Sequence, residues 1–233
     1  MRRPECQNPV EGEVTGRALK CYWQDVMNQT MIIAIDGPSA SGKGTIAKAL
    51  AKTLGFHYLD TGALYRMVGL TVQRQNLDPQ DQEAVAAIAA SLDPASFHDK
   101  DLRGELVGGY ASKVAALPKV RTALLKFQRD FANQSPGAVL DGRDIGTVVC
   151  PKADIKFYVT ASVEARSKRR FAESPHSDFN AVRADILARD ERDRSRLVAP
   201  LKAAEDAVVV DTTEITAQQA IAICLHEISK LRT

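Results

Sequence analysis

A loop of small residues, GPSASGKGT, runs from Gly37 to Thr45 and directly follows the apolar run MIIAID. Small residues allow successive backbone N–H groups to point inward at phosphate oxygens. A helix predicted to begin near Lys43 would add its positive end to this cradle. Lys43 would supply a mobile positive charge for β- and γ-phosphates, and the Thr45 hydroxyl would lie near the phosphates and Mg²⁺. The pattern therefore predicts a nucleoside-triphosphate site.

This loop does not determine the reaction by itself, because it occurs in GTPases, helicases, transporters and small-molecule kinases. A GTPase would be expected to carry a guanine-reading N-K-x-D motif, which the sequence lacks. The choice among these classes depends on the other charged clusters.

Two segments place charged residues directly after predicted strands. In DTGALYR, Asp60 to Arg66, a Thr-Gly turn begins a helix, and the arginine lies about one turn in, where a guanidinium can fork onto a phosphate. A capped helix with a surface arginine explains this segment equally well. In DGRDIGTVV, Asp141 to Val149, two acids and an arginine share one tight turn. Such clustering is costly if buried and unnecessary if solvated, which favours a ligand site.

The segment FNAVRADILARDERDRSR predicts a helix whose inner face becomes charged. An apolar stripe runs from Phe179 to Ile186 at steps of three and four residues. The same steps continue to three charged residues, Arg189, Asp193 and Arg196. Arginines that continue an apolar stripe should point into a cleft, where phosphates are the counter-ions that fit their forked geometry. The alternative is a frayed, salt-bridged helix end.

A second basic cluster, EARSKRR at residues 164–170, precedes the loop FAESPHSD. Arg166, Arg169 and Arg170 share a helical face at i, i+3 and i+4. Arginine on both sides of a short loop predicts a lid, at about residues 171–179, that closes over ATP and brings charge to the transferring phosphoryl group. A basic, solvated helix is the plainer alternative.

From Met31 onward the chain alternates strand and helix patterns. The predicted strands are Met31–Asp36, Phe56–Asp60, Ala138–Asp141, Asp154–Val159 and Ala207–Asp211. Helices are predicted at about 43–54, 62–75, 80–91, 105–131, 162–172, 179–196 and 216–231. Short apolar strands suit a parallel sheet that is buried on both faces. The alternation predicts an α/β doubly wound fold with its site at the carboxyl ends of the strands.

The composition is that of a globular protein: of 233 residues, 45% are hydrophobic and 26% are charged. A net charge of +2 provides no global attraction to nucleic acid or membrane, and aromatic residues are few. The four cysteines match no zinc or redox pattern and predict reduced thiols in a reducing compartment. Without an apolar run of transmembrane length or a secretory signal pattern, a cytoplasmic location is expected.

Residues 1–30 carry scattered Pro, Gly, Glu and Arg with no period. They are expected to form a disordered extension to a folded domain at 31–233, or to precede a true start at Met27 or Met31. An amphipathic transit segment is disfavoured because three acidic residues, Glu5, Glu11 and Glu13, interrupt it.

Together these segments resemble the bacterial cytidylate kinase family. The shared motifs, in the family's order, are IDGPSASGKGT, LDTGALYR, SKVAALPKVRTALLKFQR, DGRDIGTVV and RDERDRSRLVAPLKAAEDAVVVDTT. The resemblance covers residues 31–233 and is specific, since other nucleoside monophosphate kinases share the phosphate loop but not DGRD-x-GTVV or the RDxRDxxR helix. It implies a P-loop NTPase-type doubly wound sheet of five parallel strands, a small NMP-binding insertion at about residues 62–130 and a short lid.

The resemblance also implies the substrates and the residues that hold them. ATP with Mg²⁺ would be the phosphate donor, and CMP and dCMP the acceptors. The implied ATP-binding residues are those of the loop: Gly37, Pro38, Ser39, Ala40, Ser41, Gly42, Lys43, Gly44 and Thr45. The implied CMP-binding residues are Thr61, Arg66, Ser112, Arg121, Arg143, Asp144, Arg189, Asp193 and Arg196.

By family analogy, these CMP-binding residues divide into three groups. Ser112, Arg121 and Asp144 would read the cytosine edge. Arg66, Arg143 and Arg189 would hold the phosphate. Asp193 and Arg196 would lie near the sugar.

One segment departs from the family pattern. In the commoner bacterial form, the chain between LDPASF and the SKVAALP helix is longer and forms a small β-rich insertion. Here only HDKDLRGELVGGYA remains, and this segment is too short to predict a β-hairpin. Closure over CMP is therefore expected to use a reduced cap. Thr61 stands where many members carry Ser, so it keeps the hydroxyl and adds a methyl group.

The implied reaction needs no covalent enzyme intermediate. An oxygen of the CMP phosphate attacks the γ-phosphorus in line, and Lys43, Arg143 and Arg189, with Mg²⁺, position the groups and neutralise charge. No general base is required because a phosphate oxygen is already anionic. The alternatives are a kinase for UMP, AMP, shikimate or a sugar, or a non-catalytic ATP-binding module, which would need no second phosphate site. A monomer is expected.

Overall fold

The computed structural model describes residues 30–102, 105–173 and 178–231. The strands are β1 Met31–Asp36, β2 His57–Asp60, β3 Gly137–Gly142, β4 Ile155–Thr160 and β5 Val208–Asp211. The α-helices are α1 Lys43–Leu54, α2 Thr61–Arg74, α3 Gln82–Ala90, α4 Glu105–Val114, α5 Pro118–Ala132, α6 Val163–Glu173, α7 Phe179–Ser195 and α8 Ala217–Lys230. Short 3-10 turns lie at Pro94–Ser96 and Asp99–Leu102, and a π-helical turn lies at Ile145–Val149.

The five strands form one sheet in the order β2-β3-β1-β4-β5, and every pair is parallel. β1 pairs with β3 on one side, with Met31 opposite Gly137, and with β4 on the other, with Ile33 opposite Ile155. The strands β3 and β4 thus lie on opposite sides of β1, and the connections to them leave a crevice at the carboxyl ends of the strands. The predicted doubly wound parallel fold is confirmed.

Helices cover both faces of this sheet. On one face, α1 and α8 contribute buried residues such as Leu50 and Cys224 to a cluster that includes Ile33 and Phe157 of the strands. On the other face, Ala132 at the end of α5 packs with β3 and the π-helical turn. Because β1 and β3 are buried on both sides, they are almost wholly apolar until their last residues.

A second apolar core lies in the helices between β2 and β3. Residues of α2, α3, α4 and α5 pack around Val68, Val85, Val114 and Leu124, whose side chains are almost fully buried. This helical unit coincides with most of the segment at about residues 62–130. The assignment of that segment to nucleotide binding stays a prediction.

The prediction of one helix over residues 105–131 is wrong, because the structure has two helices there. α4 ends at Val114, and α5 begins with Pro118 in its first turn. Proline lacks the N–H that a continuing helix requires, and it pushes the preceding residue out of the helical region. Leu117 is accordingly extended, with φ −80° and ψ 118°.

The shortened segment HDKDLRGELVGGYA is helical where it is described. A 3-10 turn covers Asp99–Leu102, and α4 follows from Glu105. Residues 103 and 104 lie outside the described residues. Within the described part of the segment there is no strand, as the sequence indicated.

The predicted lid loop is described only at its ends. Residues 171–173 complete α6, Asp178 caps α7, and residues 174–177 lie outside the described residues. The rings of Phe171 and Phe179 meet edge to face across the base of this loop, with centroids 5.7 Å apart. The extension predicted over residues 1–30 falls outside the described residues except for Thr30. In the three described ranges, no helix combines the length and the apolarity needed to cross a bilayer.

Candidate phosphoryl-transfer site

The phosphate loop connects β1 to α1 through a backbone that demands glycine at two positions. At Gly37, an added Cβ would lie 2.0 Å from the carbonyl oxygen of Val159 on β4, so any side chain would displace the loop from the sheet. Gly42 has φ 89°, in the left-handed region, and is the residue from which α1 begins. No side chain caps the start of α1. Its first N–H groups therefore have the arrangement that binds phosphate oxygens.

Lys43 is half-buried in the first turn of α1, and its Nζ donates to the carbonyl of Pro38 at 3.2 Å. Burial and the nearby positive charge of Arg143 lower the pKa of Lys43 to about 7. The charges of Asp141, Asp60 and Asp193 act in the opposite direction. The charged residues around Lys43 come from β2, β3 and α7, and the ends of β2 and β3 are neighbours at one edge of the sheet.

Asp141, at the end of β3, lies against the first turn of α1. Its Oδ2 would be 3.1 Å from a Cβ added to Gly44, so the glycine inserted before Thr45 leaves room for this carboxylate. Tyr58 donates its hydroxyl to the same oxygen at 3.0 Å. Burial and the charge of Asp60 raise the pKa of Asp141. A cation at this point would relieve that electrostatic cost.

Asp36, at the end of β1, anchors the turn that follows β3 and carries Arg143 and Asp144. Its carboxylate is buried and accepts the backbone N–H groups of Ile145 and Gly146, each at 2.8 Å. Burial raises the pKa of Asp36 to about 7, although the two N–H donors act to lower it. In the sequence, Asp36 is recognisable only as the last residue of a predicted strand. Its structural role is to fix the position of Arg143 and Asp144, which directly precede the two N–H donors.

Asp193 on α7 joins two arginines. Arg143 donates Nε to its Oδ2 at 2.7 Å, and Arg196 is paired with its Oδ1. The side chains of Arg143, Asp193 and Arg196 are only 18%, 5% and 7% exposed. Burial alone would raise the pKa of Asp193, but the two guanidinium groups hold it below its usual range. The carboxylate therefore stays charged and holds both arginines at the edge of the sheet.

Arg189 lies on the same face of α7 and is less well satisfied. Its side chain is 15% exposed, its closest carboxylate is Asp185 at 3.9 Å, and its buried Nε has no hydrogen-bond partner among the described residues. The Nε of Arg196 is buried and unpaired in the same way. Burial and the charge of Arg143 lower the pKa of Arg189. Buried, unpaired N–H donors are costly, and an anionic ligand would supply the missing acceptors.

The remaining predicted CMP-binding residues lie in the neighbouring elements. Arg121 of α5 and Asp144 form an ion pair in which both side chains are buried. Ser112 of α4 is buried and accepts the Nε of Arg192 at 3.2 Å. Thr61 donates its hydroxyl to the carbonyl of Asp141 at 2.8 Å. The structure thus places these side chains in the elements that border the phosphate loop and α7.

Arg66 combines the two interpretations of its segment. Asp60 caps α2 by accepting the N–H of Ala63 at 3.1 Å, which the plainer alternative predicted. The same carboxylate pairs with Arg66 at 2.6 Å, and this arginine is 29% exposed rather than fully solvated. Its guanidinium is therefore held in place and remains accessible.

The family of this chain follows from comparison with known proteins. The family model described as cytidylate kinase matches residues 33–230. The chain belongs to the cytidylate kinase family.

Relatives in this family are similar over most of the chain. The cytidylate kinase of Rhodospirillum rubrum is 53% identical over 203 residues, which cover 84% of this chain and 95% of the relative. The cytidylate kinase of Paramagnetospirillum magneticum is 52% identical over 208 residues, covering 86% and 99%. A solved structure of an uncharacterized protein from Eubacterium ventriosum superposes with a TM-score of 0.54 at 13% identity, covering 86% of this chain and 99% of that one. This last likeness supports the fold alone.

In this member of the cytidylate kinase family, the charged face of α7 points inward, as predicted. The basic cluster on α6 differs from both interpretations given for it, because Arg166 neither faces solvent nor extends toward a ligand. Arg166 is only 2% exposed and is engaged inside the protein with Asp190. Arg169 donates to the hydroxyl of Thr212 at 2.9 Å, and Arg170 pairs with Glu173 at 3.0 Å. Arg166 also donates to the carbonyl of Ser39 at 3.2 Å and so supports the phosphate loop. Periodicity revealed the shared face of these arginines but not the groups that the face meets.

We expect Arg189→Ala to lower kcat/KM for phosphoryl transfer by about 10²- to 10³-fold, because it removes a buried donor aimed at the cleft. Arg183, on the same helix, is exposed, so Arg183→Ala serves as the control and should leave activity nearly unchanged. Steady-state kinetics of both variants make the comparison. Equal, small effects would contradict the inward-facing arrangement of α7.

Two adjacent glycines of α4 provide a second matched pair. A Cβ at Gly108 would lie 3.1 Å from Nη1 of Arg189, whereas a Cβ at Gly109 would meet nothing within 4 Å. Gly109→Ala should stabilise the protein by up to about 1 kcal/mol, through helix propensity, at unchanged activity. Gly108→Ala should impair turnover because it displaces the Arg189 guanidinium. Thermal unfolding and kinetics would show this, and full activity of Gly108→Ala would refute the contact.

The lowered pKa of Lys43 predicts a pH dependence in the free enzyme. As the pH rises through about 7, unliganded Lys43 loses its charge, so kcat/KM for ATP should fall. Bound phosphates favour the charged form, so kcat should persist to higher pH. In Lys43→Arg the guanidinium stays protonated, and the falling limb should disappear from the residual activity. A wild-type kcat/KM that stays level well above pH 7 would contradict the prediction.

Proposed function

We propose that this protein transfers the γ-phosphoryl group of ATP to CMP and dCMP, giving ADP with CDP or dCDP. The observation that carries the proposal is the meeting of two anion-binding clusters at one sheet edge. One is the loop at 37–45 with its uncapped helix start and Lys43. The other is the group of buried guanidiniums on β3 and α7, in which Arg189 and Arg196 keep unpaired Nε donors. A protein that only binds ATP has no use for the second cluster.

In the proposed reaction, the loop residues hold the ATP phosphates through backbone N–H groups and the Lys43 ammonium. Arg66, Arg143 and Arg189 hold the phosphate of CMP and bring its oxygen in line with the γ-phosphorus. Most of the catalytic effect comes from this positioning and from neutralising charge in the transferring group. Since Asp60 and Asp193 already fix two of the arginines, little reorganisation is needed when the acceptor arrives.

Recognition of the base is assigned to three residues. The buried pair of Arg121 and Asp144 offers a donor and an acceptor side by side, and Ser112 adds a hydroxyl from α4. The edge of cytosine carries both acceptors and a donor, which such a set complements. Asp193 and Arg196 are assigned to the neighbourhood of the sugar.

Magnesium fits the donor side of the site. The exposed hydroxyl of Thr45 and the carboxylate of Asp141, which lies against Gly44, are the protein groups suited to hold it, directly or through water. The described residues contain no cluster of three carboxylate, histidine or cysteine side chains. Phosphate oxygens and water would therefore complete the coordination. There Mg²⁺ would neutralise part of the charge on the ATP phosphates.

A cytoplasmic location and a monomeric state belong to the same proposal. ATP, CMP and dCMP are nucleotides of the cell interior. Cys150 and Cys224 are buried and carry free thiols, in line with a reducing compartment. We propose no nucleic-acid or membrane partner.

The acceptor is tested by measuring ADP release from ATP and Mg²⁺ over a panel of CMP, dCMP, UMP, AMP and shikimate. CMP and dCMP should give kcat/KM values far above those of the other acceptors. Lys43→Ala should lose orders of magnitude in turnover with its fold intact, because the ammonium neutralises charge in the transition state. A different preferred acceptor, or near-normal turnover by Lys43→Ala, would contradict the proposed function.

A further inference from the structure

The interior between α6 and α7 contains an ion pair that phosphoryl transfer does not use directly. Nη2 of Arg166 lies 2.7 Å from Oδ2 of Asp190, and the two side chains are only 2% and 1% exposed. A second cation, Arg194, lies 3.9 Å from the same carboxylate oxygen, and its side chain is 54% exposed. Arg166 is thus the buried counter-charge of this carboxylate. Neither oxygen of Asp190 has a hydrogen-bond partner among the described residues, so the contact is one of charge and proximity.

The same guanidinium also contacts the phosphate loop. Its Nη1 donates to the carbonyl of Ser39 at 3.2 Å, and its Nε donates to the carbonyl of Ala161 at 3.0 Å. One planar group therefore joins the loop, the end of β4 and α7. Lysine could not make these contacts together, because its ammonium is a compact point charge on a flexible stem.

A second chain of hydrogen bonds holds the loop from the same helix. Arg169, one turn after Arg166, donates to the hydroxyl of Thr212 at 2.9 Å, and this hydroxyl lies 2.9 Å from the carbonyl of Ser41. The loop is therefore supported through two carbonyls on the side away from its inward-pointing N–H groups. Of the two chains of contacts, the one through Arg166 reaches α7.

Asp190 lies among the charged residues of α7 that border the candidate site. It directly follows Arg189 and lies three residues before Asp193, the carboxylate that holds Arg143 and Arg196. A contact that holds Asp190 therefore acts on the part of α7 that carries Arg189 and Asp193.

We propose that Arg166 and Asp190 are positioning residues that hold α7 in register with the phosphate loop. The proposal rests on the proposed function, since its consequence is the alignment of donor and acceptor phosphates. Its physical basis is that Arg166 is fixed by directed hydrogen bonds to Ser39 and Ala161, and its charge then holds the buried carboxylate of Asp190 against it. A buried ion pair of this kind adds little stability over an apolar pair of similar size. Misplacing reacting groups by about 1 Å can cost about a hundredfold in rate.

The experiment compares single and double replacements. Asp190→Asn leaves Arg166 buried without its counter-charge and should lower both the melting temperature and kcat. In Arg166→Met combined with Asp190→Leu, an apolar pair fills the same space, so the melting temperature should recover towards that of the wild type. Because Ser39 and α7 remain disconnected, kcat should stay at least about tenfold low while the KM values change little. Glu191→Gln, an exposed change on the same helix, is the control and should behave as wild type.

A double variant with recovered stability and wild-type kcat would show a purely structural pair and overturn the proposal. If the double variant does not fold, Arg166→Lys decides the matter. Lysine keeps the positive charge opposite Asp190 but lacks the planar guanidinium that reaches Ser39 and Ala161 at the same time. The variant should therefore lower kcat without a matching loss of stability. Unchanged kcat in this variant would equally overturn the proposal.

Amide hydrogen exchange separates this proposal from the proposed function. Loosening the pair should speed exchange in the loop at 37–42 and in the last turns of α7, relative to Glu191→Gln. If the wild type fails to phosphorylate CMP, the proposed function fails, while faster exchange would still support the positioning pair. Unchanged exchange at both places would overturn the pair, whatever the activity.

Discussion

The site depends on holding several cations together at a largely buried edge of the sheet before any ligand arrives. Like charges in such a place repel each other and lose solvation, and the lowered pKa values of Lys43 and Arg189 express this cost. Carboxylates offset most of it: Asp60 holds Arg66, and Asp193 holds both Arg143 and Arg196. The compensation is incomplete, because buried Nε groups remain unpaired. This residual demand for acceptors favours an anionic ligand.

The fold supplies the geometry that this charge arrangement needs. Parallel strands bring their carboxyl ends to one edge, so Asp36, Asp60 and Asp141 converge although they are far apart in the chain. Each then has a different task. Asp36 anchors the turn of β3 to β1, Asp60 caps α2 and holds Arg66, and Asp141 lies against the start of α1. The apolar strands bury the sheet, and only their last residues are available for chemistry.

Much of this arrangement was predictable from sequence, because periodicity reports which face of an element is buried. The strands lie within a few residues of their apolar runs, and the stripe from Phe179 to Ile186 correctly indicated an inward-facing Arg189. The break between α4 and α5 was missed because the apolar pattern continues across Pro118. Periodicity does not identify partners: it put Arg166 on a basic face beside the predicted lid loop, whereas this arginine is buried against Asp190, on another helix. Binding roles of the individual site residues remain predictions.

In the proposed reaction, the unpaired guanidinium donors of α7 hold the acceptor phosphate opposite the Lys43 loop. A crystal structure with CMP and a non-hydrolysable ATP analogue bound together tests it most directly. The claim predicts that the Nε of Arg189 gains a phosphate oxygen of CMP within hydrogen-bonding distance, with the γ-phosphate analogue on Lys43 opposite. A CMP phosphate bound elsewhere, with that Nε still unpaired, would contradict it.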